Sequence, residues 1–301
     1  MQLSVIIVNY KNPPLIVQCV KSILMYEHTV DYEIIVVDNN SEDDTEQQLR
    51  TISPNLKWIQ MGYNSGFAKA NNAGLNVAEG KYVLFLNADT ILIEPIFDKM
   101  IQPFDTDSKI GVVGCRLLNS DKSLQLSYHN GDRFFHKLWW RNPLAIKMGC
   151  SGKNLSEMER YKAAHFACHN PRWICGAAMM MRRQTIIERN LYWDEDFFMY
   201  WEDVELCHRI RQLGLKVYYT ADASIVHLGG GGANVPIERF EQMENSKLKC
   251  VEKIYGKLFR KIYVWLTKFE LRIELRLERR KNNEIKGILQ KEAEYYGISK
   301  V

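Results

Sequence analysis

The sequence has no long apolar run, no paired-cysteine motif and no glycine loop for phosphate. No stretch of about 18 apolar residues occurs in the 301 residues, so we expect no membrane-spanning helix. The first residues, MQLSVIIVNYKN, carry no basic segment and resemble a strand, so we expect no signal peptide. The seven cysteines are odd in number and form no CxxC pair, which predicts reduced thiols in a cytosolic protein.

Two specific sites are also excluded. The spacing of His165, Cys168, His169 and Cys175 matches no standard zinc pattern. Residues 149–153, GCSGK, do not form a P-loop because the spacing and the residue after the lysine are wrong. These absences leave neither a zinc module nor a P-loop nucleotide site.

The composition is that of a globular protein, but its charge is unevenly distributed. Apolar residues make up 46% and charged residues 25%, and the length allows one large domain or one and a half. The net charge of +4 conceals a basic segment: residues 247–281 hold twelve Lys and Arg against four Glu, a local balance of +8. Residues 1–246 sum to −4, so a slightly acidic body precedes a basic tail.

Short apolar runs alternate with helical patterns through the first 90 residues. The runs are rich in β-branched and aromatic residues and cover Leu3–Val8, Tyr32–Val37, Leu56–Met61 and Tyr82–Leu86. The helical patterns are Pro13–Met25, with prolines in its first turn, Ser41–Arg50, with a serine cap and early acids, and Gly66–Ala78. This rhythm predicts a mostly parallel sheet with right-handed crossovers.

The rest of the chain is less regular. We predict strands at 111–118, 123–128, 172–181 and 215–219, a helix at 204–213, and one long or broken helix from 238 to about 280. Residues 129–170 show no clear period, which indicates a functional loop region or a small insertion. The four glycines at 229–232 require a mobile or unusual backbone.

Acidic residues follow three of the apolar runs. Asp38 ends VVD, Asp89 ends LFLNAD, and Glu202 and Asp203 follow an aromatic patch. Ligands of open α/β sheets bind beyond the carboxyl ends of the strands, and an isolated buried charge is costly. A divalent cation shared with a nucleotide diphosphate is the simplest reason to gather carboxylates there.

Each acidic position has a functional and a structural interpretation. Asp38 could accept hydrogen bonds from a ribose or a base edge, or could only cap the turn. Asn87 and Asp89 are alternate residues, so both can face a hard cation. Glu202 and Asp203 could complement a helix dipole, or one of them could be a general base. His227, beside the glycines, could be structural or could complete a metal shell.

The chain resembles the inverting family 2 glycosyltransferases of the GT-A fold, and within them the rhamnosyltransferase-like branch. The resemblance covers about residues 3–232. It rests on six segments in family order: SVIIVNYKNPPLIVQCVKSI, YEIIVVDNNSEDDT, NSGFAKANNAGL, YVLFLNADT, WICGAAMMMRR and FFMYWEDVELCHRIRQLG. It implies an α/β GT-A fold with a Rossmann-like, mostly parallel central sheet flanked by helices and a C-terminal helical extension.

The resemblance also implies a domain division and a donor site. Residues 1–235 would form the glycosyltransferase domain, with a nucleotide-sugar half at 1–118 and an acceptor half at 119–235, before a basic amphipathic tail at 236–301. The donor would contact Val8, Tyr10, Asp38, Gly66, Asn71, Asn87 and Asp89. Asp89 would be the main ligand of Mg²⁺ or Mn²⁺ and His227 a late one. The family motif commonly begins with Asp where this chain has Asn87, so metal affinity would be weak and nucleotide-dependent.

On the acceptor side the resemblance assigns Asp203 as the catalytic base. Trp173, Gly176 and Glu202 would line the acceptor side of the site. The expected reaction is inverting transfer of a sugar, with dTDP-L-rhamnose as the first candidate donor, to a glycan or lipid-linked acceptor in cell-surface polysaccharide synthesis.

The sequence is also compatible with other functions and other donors. The donor could be another nucleotide sugar, such as a UDP-hexose. The chain could instead be a non-catalytic nucleotide-sugar-binding partner, but that would predict loss of Asp89 or Asp203, and both are present. A nucleotidyltransferase would need an early glycine-rich basic loop, which VIIVNYKNPP does not offer.

The tail carries an apolar stripe at helical spacing among basic residues. Its apolar members are Val251, Ile254, Leu258, Ile262, Trp265, Leu266 and Phe269. We expect residues 247–281 to bind an anionic membrane surface, which would make the protein cytoplasmic and peripheral on the inner face of the cell membrane. The alternatives are packing on the catalytic domain or a homodimer seam.

Overall fold

The computed structural model describes residues 1–130, 163–229, 236–277 and 291–298. The chain divides into two compact units. The first comprises Met1–Asn130 and Tyr161–Gly230, and the second Gly131–Arg160 and Gly231–Val301. Most of the aperiodic region 129–170 lies outside the described residues, and so do most of the glycines at 229–232.

The first unit is built from β-strands and α-helices that alternate along its N-terminal part. Its strands are β1 (Leu3–Asn9), β2 (Tyr32–Asp38), β3 (Lys57–Gln60), β4 (Tyr82–Asn87), β5 (Thr90–Leu92), β6 (Ile110–Leu118), β7 (Leu124–Gln125), β8 (Tyr128–His129), β9 (Trp173–Ile174), β10 (Ala178–Arg182) and β11 (Lys216–His227). Its helices are α1 (Pro13–Tyr26), α2 (Thr45–Ile52), α3 (Phe67–Val77), α4 (Phe97–Thr106), α5 (Arg183–Arg189) and α6 (Glu202–Gln212).

The central sheet has the strand order β3-β2-β1-β4-β10-β6-β11-β5, with β7 paired to β6. Strands β3, β2, β1 and β4 pair in parallel, and β6 and β11 are parallel to each other. Strand β10 is antiparallel to both β4 and β6, so β6 and β11 run in the same direction as the first four strands. The predicted α/β fold with a mostly parallel central sheet flanked by helices is confirmed.

Both faces of the sheet are covered, which is why its strands are apolar without alternation. Val5 and Ile7 of β1 belong to the apolar layer that contains residues of α1 and α4. Ile6, between them in sequence, belongs to the opposite layer with Ala70 of α3. All three strand residues are fully buried. The centre of the sheet is therefore buried on both sides, and polar groups can meet a ligand only where its strands end.

Several local predictions differ from the structure. The helix predicted at 41–50 begins only at Thr45, because Ser41 hydrogen-bonds Asp38 instead of capping the helix. The predicted strand 172–181 is interrupted between β9 and β10, and 123–128 divides into β7 and β8. The strand predicted at 215–219 continues to His227 as the longer strand β11. Helices α4 and α5 and strand β5 were not predicted.

In the second unit, two helices replace the single long pattern. Helix α7 spans Ile237–Tyr255 and helix α8 spans Lys257–Leu277. They are separated by Gly256, whose φ of +90° favours glycine and ends α7. The sequence was compatible with one long helix or with a broken one, and the structure shows the broken one.

The apolar stripe of the tail divides between buried and exposed positions. Val251 of α7 and Tyr263 and Leu271 of α8 are buried, whereas the other face of α8 exposes large apolar side chains. These are Leu258, Ile262, Trp265 and Phe269, with 45% to 73% of each exposed.

None of the helices in the described ranges is apolar enough over 18 residues to cross a membrane. The division of the chain at residues 235/236 and 118/119 stays a prediction.

Candidate active site

Two neighbouring side chains and a third that is distant in sequence meet where β4 and β11 end and β5 begins. Asn87 is the last residue of β4, Asp89 lies in the turn to β5, and His227 ends β11 opposite Thr90. His227 Nε2 is 3.4 Å from Asp89 Oδ1 and 3.4 Å from Asn87 Nδ2. The backbone N–H of Leu228 donates to the carbonyl of Asp89 at 2.8 Å, which fixes the end of β11 on this turn.

Gly229 makes close approach to the Asp89 carboxylate possible. A Cβ on Gly229 would lie 2.1 Å from Asp89 Oδ2, so any side chain would displace the carboxylate. Burial acts to raise the pKa of Asp89. The hydrogen bond and the charge of His227 outweigh this effect, together with hydrogen bonds from backbone N–H groups that include Gly229, so the pKa lies below its ordinary value. Asp89 is therefore a carboxylate at neutral pH, and it remains partly exposed.

A second acidic pair lies in the first turn of α6. Asp203 Oδ2 accepts a hydrogen bond from the backbone N–H of Gly176 at 3.0 Å, and its Oδ1 accepts from the N–H of Val204 at 2.8 Å. The two preceding residues, Tyr200 and Trp201, have φ values of 72° and 70°. Such left-handed conformations are costly for bulky residues and cluster at functional sites. They direct the chain into α6 so that its first acids meet the β9–β10 connection.

Glu202 differs from Asp203 in its environment. It is only 7% exposed, and no described residue hydrogen-bonds its Oε2. Burial, followed by the charge of Asp203, raises the pKa of Glu202 to about 8. The raised pKa favours the protonated form of Glu202, which can donate a hydrogen bond. A protonated acid next to a hydrogen-bonded carboxylate is an arrangement that enzymes use in acid and base catalysis.

The connection between β9 and β10 joins the two acidic groups, because the Asn87 N–H donates to the Ala177 carbonyl at 2.9 Å and the Gly176 N–H donates to Asp203 Oδ2 at 3.0 Å. Burial, then the charges of Asp203, Glu202 and Asp89, raise the pKa of Cys175 to about 12. Cys175 lies between β9 and β10, and its backbone N–H donates to the carbonyl of Ser127 at 2.8 Å. The structure thus brings the turn after β4 and the start of α6 to the same edge of the sheet.

Asp38 has a different role in this structure. Its Oδ1 accepts from Asn9 Nδ2 and Ser41 Oγ, and its Oδ2 from the Ser41 N–H and Gln60 Nε2, at 2.5 to 2.9 Å. A carboxylate has about four acceptor positions, and all are occupied. Burial acts to raise the pKa of Asp38, but these four bonds lower it below its ordinary value. The contacts match the turn-organising interpretation; nucleotide contact by Asp38 stays a prediction.

The start of α3 is fitted to the loop before α6. Gly66 has φ +83°, and a Cβ there would lie 2.4 Å from the carbonyl oxygen of Phe198. That same oxygen accepts a hydrogen bond from the Phe67 N–H at 2.7 Å. Asn71 is buried in α3, where its amide donates to the Phe67 carbonyl. Gly66 is needed for this contact, which ties the NSGF segment to the loop that carries Tyr200 and Trp201.

The remaining predicted contacts lie around this edge. Val8 pairs in register with Val37 and Asn87 on the neighbouring strands. Tyr10, two residues later, is 46% exposed beyond the end of β1. Trp173 stacks on His129, with ring centroids 4.8 Å apart. Their predicted contacts with base and acceptor stay predictions.

The Asp89–His227 pair fits a divalent cation as part of its shell. Adjacent ligand atoms of octahedral Mg²⁺ lie roughly 3 Å apart, close to the 3.4 Å between Asp89 Oδ1 and His227 Nε2. Within the described ranges no group of three or more His, Cys, Asp and Glu side chains could hold a metal. Mg²⁺ is commonly held by one or two carboxylates and substrate phosphates, so a nucleotide diphosphate can complete such a shell.

Sequence reasoning missed two residues of this site. Gln125 of β7 contacts His227 Nδ1 through its Oε1 at 2.7 Å, and no motif marked it. Gly229 was noted only as part of a glycine run, whereas its proximity to Asp89 depends on the pairing of β11 with β5. The run of glycines was a usable signal for Gly229, but no feature of the sequence pointed to Gln125.

Both the sequence and the fold are similar to those of known proteins. The family model described as "Glycosyl transferase family 2" matches residues 4–189. An uncharacterized glycosyltransferase of Haemophilus influenzae is 26% identical over 251 residues, which cover 81% of this chain and 70% of that protein. The O-antigen biosynthesis protein RfbC of Myxococcus xanthus is 26% identical over 234 residues, which cover 74% of this chain but 17% of its own length.

A solved structure shares the fold. The structure of S. aureus TarS 1-349 in complex with UDP matches with a TM-score of 0.54 and 17% identity, and covers 90% of this chain and 71% of that one. At this identity the likeness concerns the fold, and TarS has the GT-A fold.

Proposed function

We propose, from the premise that this chain belongs to glycosyl transferase family 2, that it is a metal-dependent inverting glycosyltransferase. It would move a sugar from a nucleoside diphosphate donor to a hydroxyl of a glycan or lipid-linked acceptor. The observation that carries this proposal is that Asp89 and His227 at the end of β4, and Glu202 and Asp203 at the start of α6, meet the two sides of the β9–β10 connection at one edge of the sheet.

In this proposal the base and the leaving group are handled by different residues. Asp203 takes the proton of the acceptor hydroxyl as its oxygen bonds to the anomeric carbon. The bond from that carbon to the phosphate oxygen breaks on the opposite face, and the diphosphate leaves with the electron pair. The configuration is therefore inverted, by the same opposite-face logic as in inverting glycosidases.

The chain's own groups position these partners. The Gly176 N–H holds Asp203 Oδ2 and directs the carboxylate. The protonated Glu202 supplies a donor next to that base on the acceptor side. Asp89 and His227, with Asn87 beside them, would hold Mg²⁺ or Mn²⁺ on the donor side. When bound, the cation supplies positive charge next to the departing diphosphate.

For the donor, dTDP-L-rhamnose is our first candidate, on the resemblance to the rhamnosyltransferase-like branch. A UDP-hexose is the alternative, and the binding of UDP by TarS supports it. The name of the Myxococcus relative supports a role in surface polysaccharide synthesis.

A nucleotide-sugar panel tests the function. Purified protein with Mg²⁺ or Mn²⁺ is expected to release nucleoside diphosphate from one donor, and proton NMR of the glycoside is expected to show the inverted anomer. Retention of configuration would contradict the assigned base, and loss of turnover with every donor and acceptor would favour the non-catalytic partner.

We also propose that α8 attaches the protein to the inner face of the cell membrane. Its exposed Leu258, Ile262, Trp265 and Phe269 form one face of the helix. A groove of about 610 Å³ beside them is lined by Lys257, Arg260, Lys261, Lys268, Trp265, Val264 and Glu252. Exposed aromatics with basic side chains are typical of interfacial helices, and each Lys or Arg near an anionic surface contributes roughly 1 kcal/mol.

Vesicle flotation tests the membrane proposal. Full-length protein is expected to float with phosphatidylglycerol vesicles at low salt, and a variant with Trp265→Ser and Phe269→Ser is expected to lose most of this binding. The matched control changes two exposed apolar residues of the first unit, Met25→Ser and Ile187→Ser. Equal flotation of all three proteins would reject the membrane face, and loss of a dimer in the α8 variant would identify the homodimer seam.

A further inference from the structure

Gln125 makes four polar contacts around the end of β11. Its Oε1 is 2.7 Å from His227 Nδ1. Its Nε2 lies 3.0 Å from Asn119 Oδ1, 3.2 Å from the carbonyl oxygen of His227 and 3.3 Å from that of Gly229. One amide thus contacts both the ring of His227 and the backbone on either side of Leu228.

These contacts determine which way the amide faces. Backbone carbonyl oxygens can only accept hydrogen bonds, so the group that faces His227 O and Gly229 O must be the NH₂ of Gln125. Its carbonyl oxygen Oε1 therefore faces His227 and can only accept. The Nδ1 of His227 must then carry a proton, and in the neutral ring the lone pair lies on Nε2.

That lone pair faces a carboxylate. His227 Nε2 lies 3.4 Å from Asp89 Oδ1, and the Nδ2 of Asn87 is at the same distance. The Asn87 amide can donate to Nε2, but in the neutral ring Nε2 and Asp89 Oδ1 are both acceptors, and their repulsion is relieved only by a second ring proton or by a divalent cation beside the two atoms. Histidine ligands of metals commonly donate their other N–H to a carbonyl or carboxylate, which fixes the tautomer and the ring orientation.

We infer that Gln125 is a positioning residue for the cation site: it holds His227 in the Nδ1–H tautomer, with Nε2 directed at a divalent cation, and fastens residues 227–229 against Asp89. The inference rests on the proposed metal-dependent function. Gln125 itself touches neither Asp89 nor Asn87 in the described structure, so it acts through His227 and the backbone of Gly229.

The tautomer is measured on the metal-free protein. Histidine labelled with ¹⁵N is observed at about pH 8.5, well above the ordinary pKa of the ring, where the two ring nitrogens report the proton position. We expect the Nδ1–H form for His227 and a shift toward a mixture with Nε2–H in Gln125→Ala. His169, whose Nδ1 faces the Ala167 carbonyl at 2.8 Å, is an internal reference that should not change.

Two further variants separate positioning from simple stability. Asn119→Ala removes one acceptor of the Gln125 amide but leaves the contact with His227, so its tautomer should stay as in wild type. Gln125→Glu keeps an acceptor opposite Nδ1 and should restore the Nδ1–H form. Far-ultraviolet circular dichroism confirms that each variant is folded.

Cation binding is the second readout. Mn²⁺ binding in the presence of UDP or dTDP, followed by electron paramagnetic resonance, is expected to weaken about 10- to 100-fold in Gln125→Ala, the usual effect of losing such a partner. Unchanged tautomer and unchanged Mn²⁺ affinity in this variant would overturn the inference while the proposed function stands. Failure of the wild type to bind Mn²⁺ with either nucleotide would overturn the metal-dependent function, and the inference with it.

Discussion

Asp38 ends the parallel strand β2 and Asp89 follows the parallel strand β4 of the same sheet, yet their carboxylates differ in exposure and in the donors around them. The carboxylate of Asp38 is satisfied by four donors from Asn9, Ser41 and Gln60. Asp89 faces His227 across 3.4 Å and is partly exposed. A carboxylate whose acceptor positions are all filled by protein donors stabilises a turn, whereas a partly exposed one can also bind a ligand.

Glu202 and Asp203, adjacent in the first turn of α6, differ in burial and in hydrogen bonding. Asp203 accepts from the Gly176 N–H, while Glu202 is buried and its pKa is raised. Substitution of each of these four carboxyl groups separates effects on turnover, on nucleotide binding and on stability.

The largest effect is expected for Asp203→Asn. The amide cannot accept the proton of the acceptor hydroxyl, so we expect a loss of at least ~100-fold in the rate of transfer. Donor affinity, measured by calorimetry with a non-hydrolysed nucleotide, should stay close to that of wild type. A variant that retained most of its activity would show that Asp203 is not the base.

Asp89→Ala is expected to have the next largest effect, on binding. Removal of the carboxylate should abolish the part of nucleoside diphosphate affinity that depends on the divalent cation, a loss of at least ~10-fold. Chelation of the wild type should reproduce the loss. This role would be contradicted if calorimetry gave the same nucleoside diphosphate affinity with and without the cation.

Asp38→Asn should affect stability instead of catalysis. The amide leaves buried donors unpaired, which costs about 1–3 kcal/mol of unfolding free energy in urea titrations. The lowered pKa of Asp38 stabilises the fold above the carboxyl's unfolded pKa of about 3.9, and this contribution is lost as pH falls through the folded pKa. The free energy of unfolding of the variant should therefore not show this loss at acidic pH. A large fall in donor affinity with unchanged stability would instead favour a nucleotide role.

The smallest effect is expected for Glu202→Gln, and it has the opposite sign. Because the folded pKa is raised to about 8, the wild type loses stability as pH rises from the unfolded pKa toward 8. Glutamine is neutral at every pH, so the variant should melt a few °C higher than wild type near pH 8 and close to it near pH 4. Thermal scans at both pH values measure this; a variant that melts lower at pH 8 would show that Glu202 has a buried partner.

Much of the fold was accessible from the sequence because its main signals are local. The bounds of β1, β2 and β4 were predicted within one residue, since strands buried on both faces are continuous apolar runs. Prolines placed the start of α1. The start of α2 was predicted too early because Ser41 resembles a helix cap. Its N–H and hydroxyl instead donate to Asp38, three residues earlier, and helix caps and Asx turns use the same residue types.

The candidate site was accessible only in part. Asp89, Asp203 and His227 were marked by position at strand or helix ends, where side chains can face a ligand. Gln125 could not be found because its importance comes from a hydrogen bond to a residue 102 positions away. Gly176 was known from a motif, but its N–H contact with Asp203 required the break between β9 and β10.

The strand and helix pattern, the carboxylates at strand ends and the basic tail can be recognised in the sequence, because they depend on neighbouring residues and their periodicity. Which carboxylates are satisfied depends on the tertiary structure. It placed His227 and Gly229 against Asp89 through the pairing of β11 with β5, buried Glu202 beside Asp203, and turned one face of α8 outward. Burial and hydrogen bonding are properties of groups that meet in space, and they set the pKa and the ligand capacity of each side chain.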